Sequence, residues 1–146
     1  MSTRRIVLGV FVLLSAFATV AFADQPRMTA ARTDLLQARG QLQVALTNKV
    51  GRRVKAIGYV NAAISEINQG IAFDRRHNHA PAKLGEVFHL VSLPDQPHMQ
   101  RALDHLRQAK DNLEAATTDK GGHRNKAIGY VNDAIDEVKK GIDAGE

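Results

Sequence analysis

"KAIGYVN" occupies residues 55–61 and occurs again at residues 126–132. Laying Lys55 on Lys126 shifts the chain by 71 positions, and the match then runs well past seven residues. "DQPRM" (24–28) falls on "DQPHM" (95–99). Leu35, Ala38, Leu42 and Ala45 fall on Leu106, Ala109, Leu113 and Ala116. Ile64, Glu66, Gly70 and Ile71 fall on Ile135, Glu137, Gly141 and Ile142. About half of the positions in 24–75 and 95–146 are identical, without a gap. The chain is an internal duplication, and the repeat unit decides the fold.

Each unit reads as two helices. Ala31, Leu35, Ala38, Leu42 and Ala45 step by four and three, the spacing of one helical face. Pro26 and Pro97 stand where a first helical turn tolerates proline. The second helix carries Ile57, Val60, Ile64, Ile67 and Ile71, repeated as Ile128, Val131, Ile135, Val138 and Ile142. That alternation predicts a bundle seam, with Ala56, Ala63, Ala127 and Ala134 permitting close approach. "TNKVGRR" and "TTDKGGHR" lie between the helices, with Gly51, Gly121 and Gly122 to reverse the chain. A lone hairpin cannot hide its apolar stripe, so two must pack together. The expected fold is all-α: a duplicated helical hairpin forming a four-helix bundle.

The expected boundaries are a signal peptide over 1–23, hairpin 1 over 24–71, a connection over 72–95 and hairpin 2 over 96–146. "MSTRRIVLGVFVLLSAFATVAFA" has Arg4 and Arg5, an apolar run and Ala21-Phe22-Ala23 before Asp24, the order of a secretory signal peptide. An uncleaved anchor is the rival reading. Cleavage predicts a periplasmic or secreted protein with no further membrane segment. The connection is too apolar in "VFHLVSL" for a free linker. It is expected to lay Phe73, Phe88, Leu90 and Val91 over one bundle end as a lid; a short strand at "EVFHLV" is the alternative.

Composition narrows the function. The chain has no cysteine, so disulfides and thiolate metal sites are excluded. Residues 24–94 hold 10 Lys/Arg against 5 Asp/Glu, while 95–146 hold 8 against 10. A basic half joined to a slightly acidic half predicts attraction between the halves or to a second copy. The absence of Trp and the scarcity of stacking aromatics argue against nucleic-acid binding. No nucleophile elbow, phosphate loop or metalloprotease helix is present, so a non-catalytic protein is expected.

The second unit, an A…L…A…L…A helix followed by "DKGGHR" and "KAI…AI.EV..GI", resembles small exported bacterial helical-hairpin repeat proteins with a DKGGHR-type turn. The first unit keeps the frame but has "NKVGRR" at the turn. A looser likeness is to small periplasmic metal-binding four-helix bundles, which are far richer in histidine. The resemblance implies the hairpin fold and export and brings no activity with it.

Two site readings follow from the residues. His77 and His79 flank Asn78, and an i, i+2 imidazole pair in extended chain faces one way. With His89 and His98 expected at the same bundle end, the set suits Cu(II), Ni(II) or Zn(II). The turn histidine His123 is expected one helix length away. The bland reading is a set of solvated loop histidines. The second site is an anion or acidic-polymer site: Lys49, Arg53 and Lys55, with Lys120, Arg124 and Lys126, surround the starts of two helices. If both turns share one end, two positive helix termini face one volume. Pairing with Asp119, Glu66 and Glu137, plus solvation, is the bland counterpart. Tyr59 and Tyr130 are expected to flank the core.

Overall fold

The structure, a computed structural model, describes residues 19–45, 51–78, 95–117, 119 and 121–144. They form four helices: α1 (Thr19–Val44), α2 (Arg52–Asn78), α3 (Asp95–Ala115) and α4 (His123–Asp143). The all-α duplicated hairpin is what the repeat predicts.

Each helix owes its packing to a stripe of small buried residues at every seventh position. These are Ala31, Ala38 and Ala45; Ala56, Ala63 and Gly70; Ala102, Ala109 and Ala116; and Ala127, Ala134 and Gly141. A second stripe beside it is large and fully buried: Met28, Leu35 and Leu42 on α1, and Met99, Leu106 and Leu113 on α3. Val60 and Ile67 play this part on α2, as do Val131 and Val138 on α4. A sustained seven-residue period keeps one seam facing its partner, and small side chains let the backbones approach. Ile57 and Ile128 were expected in the seam. They are only partly buried, because Ala56 and Ala127 occupy it instead.

The most extensive packing joins different hairpins: α1 lies on α3 and α2 on α4. Hairpin mates α1/α2 and α3/α4 pack less, while α1 and α4, like α2 and α3, are diagonal. Both inter-hairpin pairs run antiparallel. Arg27 near the start of α1 reaches Asn112 near the end of α3, and Gln41 near the end of α1 meets His98 near the start of α3. Arg52 reaches Glu137, and Glu66 meets His123. The helices therefore run up, down, down and up.

This direction corrects two expectations. The turns lie at opposite ends of the bundle, not at one. The connection joins the end of α2 to the start of α3, and these too are at opposite ends, so its attachment points do not fit a lid over one end. It is also shorter than expected, because α2 continues to Asn78, with Phe73 half-buried and Asp74 buried. A Cβ built at Gly121 would meet the Phe73 ring at 3.1 Å, so the last turns of α2 are seated beside the second turn. Phe88, Leu90 and Val91, and the "EVFHLV" strand reading, lie outside the described residues.

Gly51 (φ 80°), Gly121 (φ 69°) and Gly122 (φ 87°) take the left-handed conformation the turns require. Asp119 anchors the start of α4: its backbone oxygen accepts from the N–H of Gly122 and Arg124, and its carboxylate accepts from the N–H of Asn125. α3 begins at Asp95, the repeat mate of Asp24, whereas α1 already runs from Thr19 and holds Pro26 in its interior. Among the described residues no helix is long and apolar enough to cross a membrane.

Candidate functional site

Polar residues at heptad spacing flank both inter-hairpin seams. On α1 these are Arg27, Asp34 and Gln41; on α3 they are His98, His105 and Asn112. Antiparallel packing sets them opposite one another as three rungs. Arg27 donates through Nη1 to Asn112 Oδ1 at 3.4 Å. His98 Nδ1 lies 2.7 Å from Gln41 Oε1 and donates to it, since an amide oxygen only accepts. Midway between them Asp34 faces His105, while Asn112 donates to Asp34 Oδ2 at 3.0 Å.

Burial pushes the Asp34 carboxyl above its ordinary value, against the pull of the Asn112 hydrogen bond and of the His105 charge. The buried Nδ1 of His105 finds no hydrogen-bond partner among the described residues.

The α2/α4 seam has the same plan. Arg52, Tyr59 and Glu66 are spaced by seven on α2, as are His123, Tyr130 and Glu137 on α4. Arg52 Nη1 donates to Glu137 Oε2 at 3.0 Å and Oε1 at 3.2 Å. His123 Nδ1 is 2.7 Å from Glu66 Oε2. Tyr59 and Tyr130 occupy the middle positions, partly buried against the core as expected. The Arg52 hydrogen bond, helped by the charges of Arg52, Lys140 and Lys55, holds Glu137 below its ordinary value despite its burial.

These rungs obey the duplication. Residues 27 and 98 are repeat mates, as are 41 and 112, 52 and 123, and 66 and 137. The outer rungs of each seam are thus one interaction made twice, with arginine in hairpin 1 and histidine in hairpin 2. The middle rungs join each residue to its own mate, which places them on a pseudo-two-fold axis.

No family model, curated protein or solved structure matches the chain. The site must be read from its own geometry.

Of the expected metal set, His77 and His98 are described, and they lie at opposite ends of the bundle. His77 is in the last turn of α2, while His98 sits buried at the first turn of α3 beside Gln41. Gln41 adjoins Leu42, whose carbonyl accepts from Arg53, and Arg53 is about 36 Å along α2 from His77. His79 and His89 lie outside the described residues. Because residues 77 and 78 are helical, the extended i, i+2 geometry does not apply at His77. Among the described residues no three His, Asp or Glu side chains form a metal-holding group. The distance expected for His123 was also wrong. With turn 2 beside Phe73, this histidine lies level with Glu66, about 16 Å along α2 from His77.

The expected anion set is split as well. Arg53 donates to the carbonyls of Leu42 and Gln43, and Arg124 to those of Leu113 and Glu114. Each arginine closes the C-terminus of the preceding helix, where exposed carbonyls and the dipole favour a cation. Lys55 and Lys126 are exposed at opposite ends, and Lys49 and Lys120 lie outside the described residues. The clusters cannot face one volume: Arg52 and Glu66, which mark the two turns on α2, are about 21 Å apart.

Composition gave no role to Gln41, Asp34 or Asn112, and it set Glu66 and Glu137 against the turn cations, where His123 and Arg52 are their partners. Their signal was available in the heptad spacing of polar residues beside the apolar stripe.

Proposed function

We propose that the protein is an exported, non-catalytic binding protein in which the bundle is a scaffold and residues 77–94 meet the ligand. The observation that carries this reading is the use made of the polar side chains inside the bundle. His98, Gln41, His123, Glu66, Arg52 and Glu137 all join one hairpin to the other. With His105 set in the α1/α3 seam beside Asp34, that leaves His77, His79 and His89, in and beside the connection, as the imidazoles outside the seams for a ligand.

Three such donors suit Cu(II), Ni(II) or Zn(II), without the help of His98. Export is supported by the repeat itself. Cleavage before Asp24 would start α1 where α3 starts and return Pro26 to a first turn, where its missing N–H costs nothing.

Calorimetry on residues 24–146 tests the reading. Saturable Cu(II) or Ni(II) binding is expected, abolished by His77→Ala with His79→Ala and unchanged by His98→Ala. If the wild type binds no metal, the remaining reading is a bundle that associates through its surface. A small anion would meet only one turn cluster, whereas an acidic polymer could reach both.

A further inference from the structure

The polar rungs differ in what they tolerate. If hairpin 1 packed on the hairpin 1 of a second copy, the outer rungs would still be satisfied. Arg52 would face Glu66, and Arg27 would face Gln41. Two copies of hairpin 2 would set His123 against Glu137 and His98 against Asn112. Both repeats carry glutamate at 66/137, a basic group at 52/123 and 27/98, and an amide at 41/112. The fully buried stripes also match, with Val138 standing for Ile67, but two buried leucines do not: the mates of Leu36 and Leu103 are Arg107 and Arg32, so a like pairing of hairpin 1 would set Leu36 against Arg32.

Among the polar rungs only the axial positions face their own mates, so of the rungs only these sense which hairpin is opposite. On the α2/α4 seam both are tyrosine, and the rung is indifferent. On the α1/α3 seam they are Asp34 and His105. A like pairing of hairpin 1 would bring two partly buried Asp34 carboxylates together, and like charges at one desolvated site cannot both ionise cheaply.

We infer that Asp34 and His105 are the charged partner selector of this interface, acting beside the Leu36 and Leu103 positions to make hairpin 1 accept hairpin 2 and reject a second copy of itself. The surface fits a hairpin of this same chain, and the axial acid–imidazole rung restricts that fit to the unlike one. Asp34 gains little stability in return, since burial outweighs its favourable contacts. A group that costs stability while fixing pairing is how partner choice is set in other helical assemblies.

Charge exchange in the full chain tests the coupling. His105→Asp should lower the denaturation midpoint at neutral pH, and adding Asp34→His should restore it. A double variant no more stable than the sum of the single changes predicts, or a His105→Asp chain as stable as wild type, overturns the inference. Partner choice is then read directly with a protease site placed in 79–94 and cut after folding. After unfolding and refolding, native mass spectrometry should find like-hairpin pairs at least about tenfold below the statistical share, as expected if apposed like charges cost several kcal/mol. Asp34→Asn with His105→Asn should raise them toward that share. Statistical pairing in the wild type, or unlike pairs alone in the doubly neutral variant, overturns it; dissociation after cutting leaves the full-chain exchange to decide.

Discussion

The α1/α3 and α2/α4 seams share small-residue stripes, antiparallel direction and three polar rungs, yet they spend their charges differently. The α2/α4 seam places a carboxylate at each outer rung, against Arg52 or the His123 ring, with a tyrosine pair on the axis. The α1/α3 seam keeps amides at its outer rungs and puts its acid on the axis. Their effects on carboxylates are opposite: Glu137 is held down by Arg52, and Asp34 is pushed up by burial. One seam uses electrostatics to stabilise contact between hairpins. The other uses it to decide which hairpins meet.

The largest effects should come from what the seams share. Ile64 and Ile135 are repeat mates, each 8% exposed. Ile64→Ala and Ile135→Ala should each cost about 2–4 kcal/mol in chemical denaturation, by similar amounts because their surroundings are pseudo-equivalent. Unequal losses would break the symmetry on which the comparison rests.

Next comes the stabilising rung. The folded value of Glu137 is depressed, so its contribution is fully present above the ordinary glutamate range and lost as pH falls through the folded value. Arg52→Gln should lower the thermal midpoint at neutral pH and flatten that acid loss. An unchanged acid limb would show that the rung carries no pH-dependent stability.

The smallest effect belongs to the selecting rung. Asp34 has a raised folded value, so its cost is present at neutral pH and is relieved as pH falls toward the ordinary aspartate range. Asp34→Asn should therefore match or slightly exceed wild-type stability at neutral pH, with the difference vanishing in acid. A clear loss at neutral pH would make Asp34 a stabilising group.

Much of the fold was legible because the duplication and the heptad period are both one-dimensional. Leu35, Leu42, Val60 and Ile67 sit in the core where the spacing puts them. The phase failed locally at Ile57, where periodicity alone does not reveal that Ala56 takes the seam. The candidate sites were less legible, because they depend on how one hairpin lies on the other. Nothing in the spacing of His77 and His98 reveals that α2 and α3 run the same way and set these residues at opposite ends. Arg52–Glu137 follows the charge asymmetry between the halves, whereas Glu66–His123 runs against it, with its acid in the basic half. Which residues met across the seam required the antiparallel register.

That register is the central claim, and the absence of native cysteine makes it directly testable. Arg52→Cys with Glu137→Cys should be bridged within a monomer by a short bifunctional thiol cross-linker, which replaces the reach of the native side chains that meet at 3.0 Å. Arg52→Cys with His123→Cys should not be bridged within a monomer by the same reagent, because α2 separates those positions by about 21 Å. Efficient bridging of the second pair and none of the first would place both turns at one end and contradict the account.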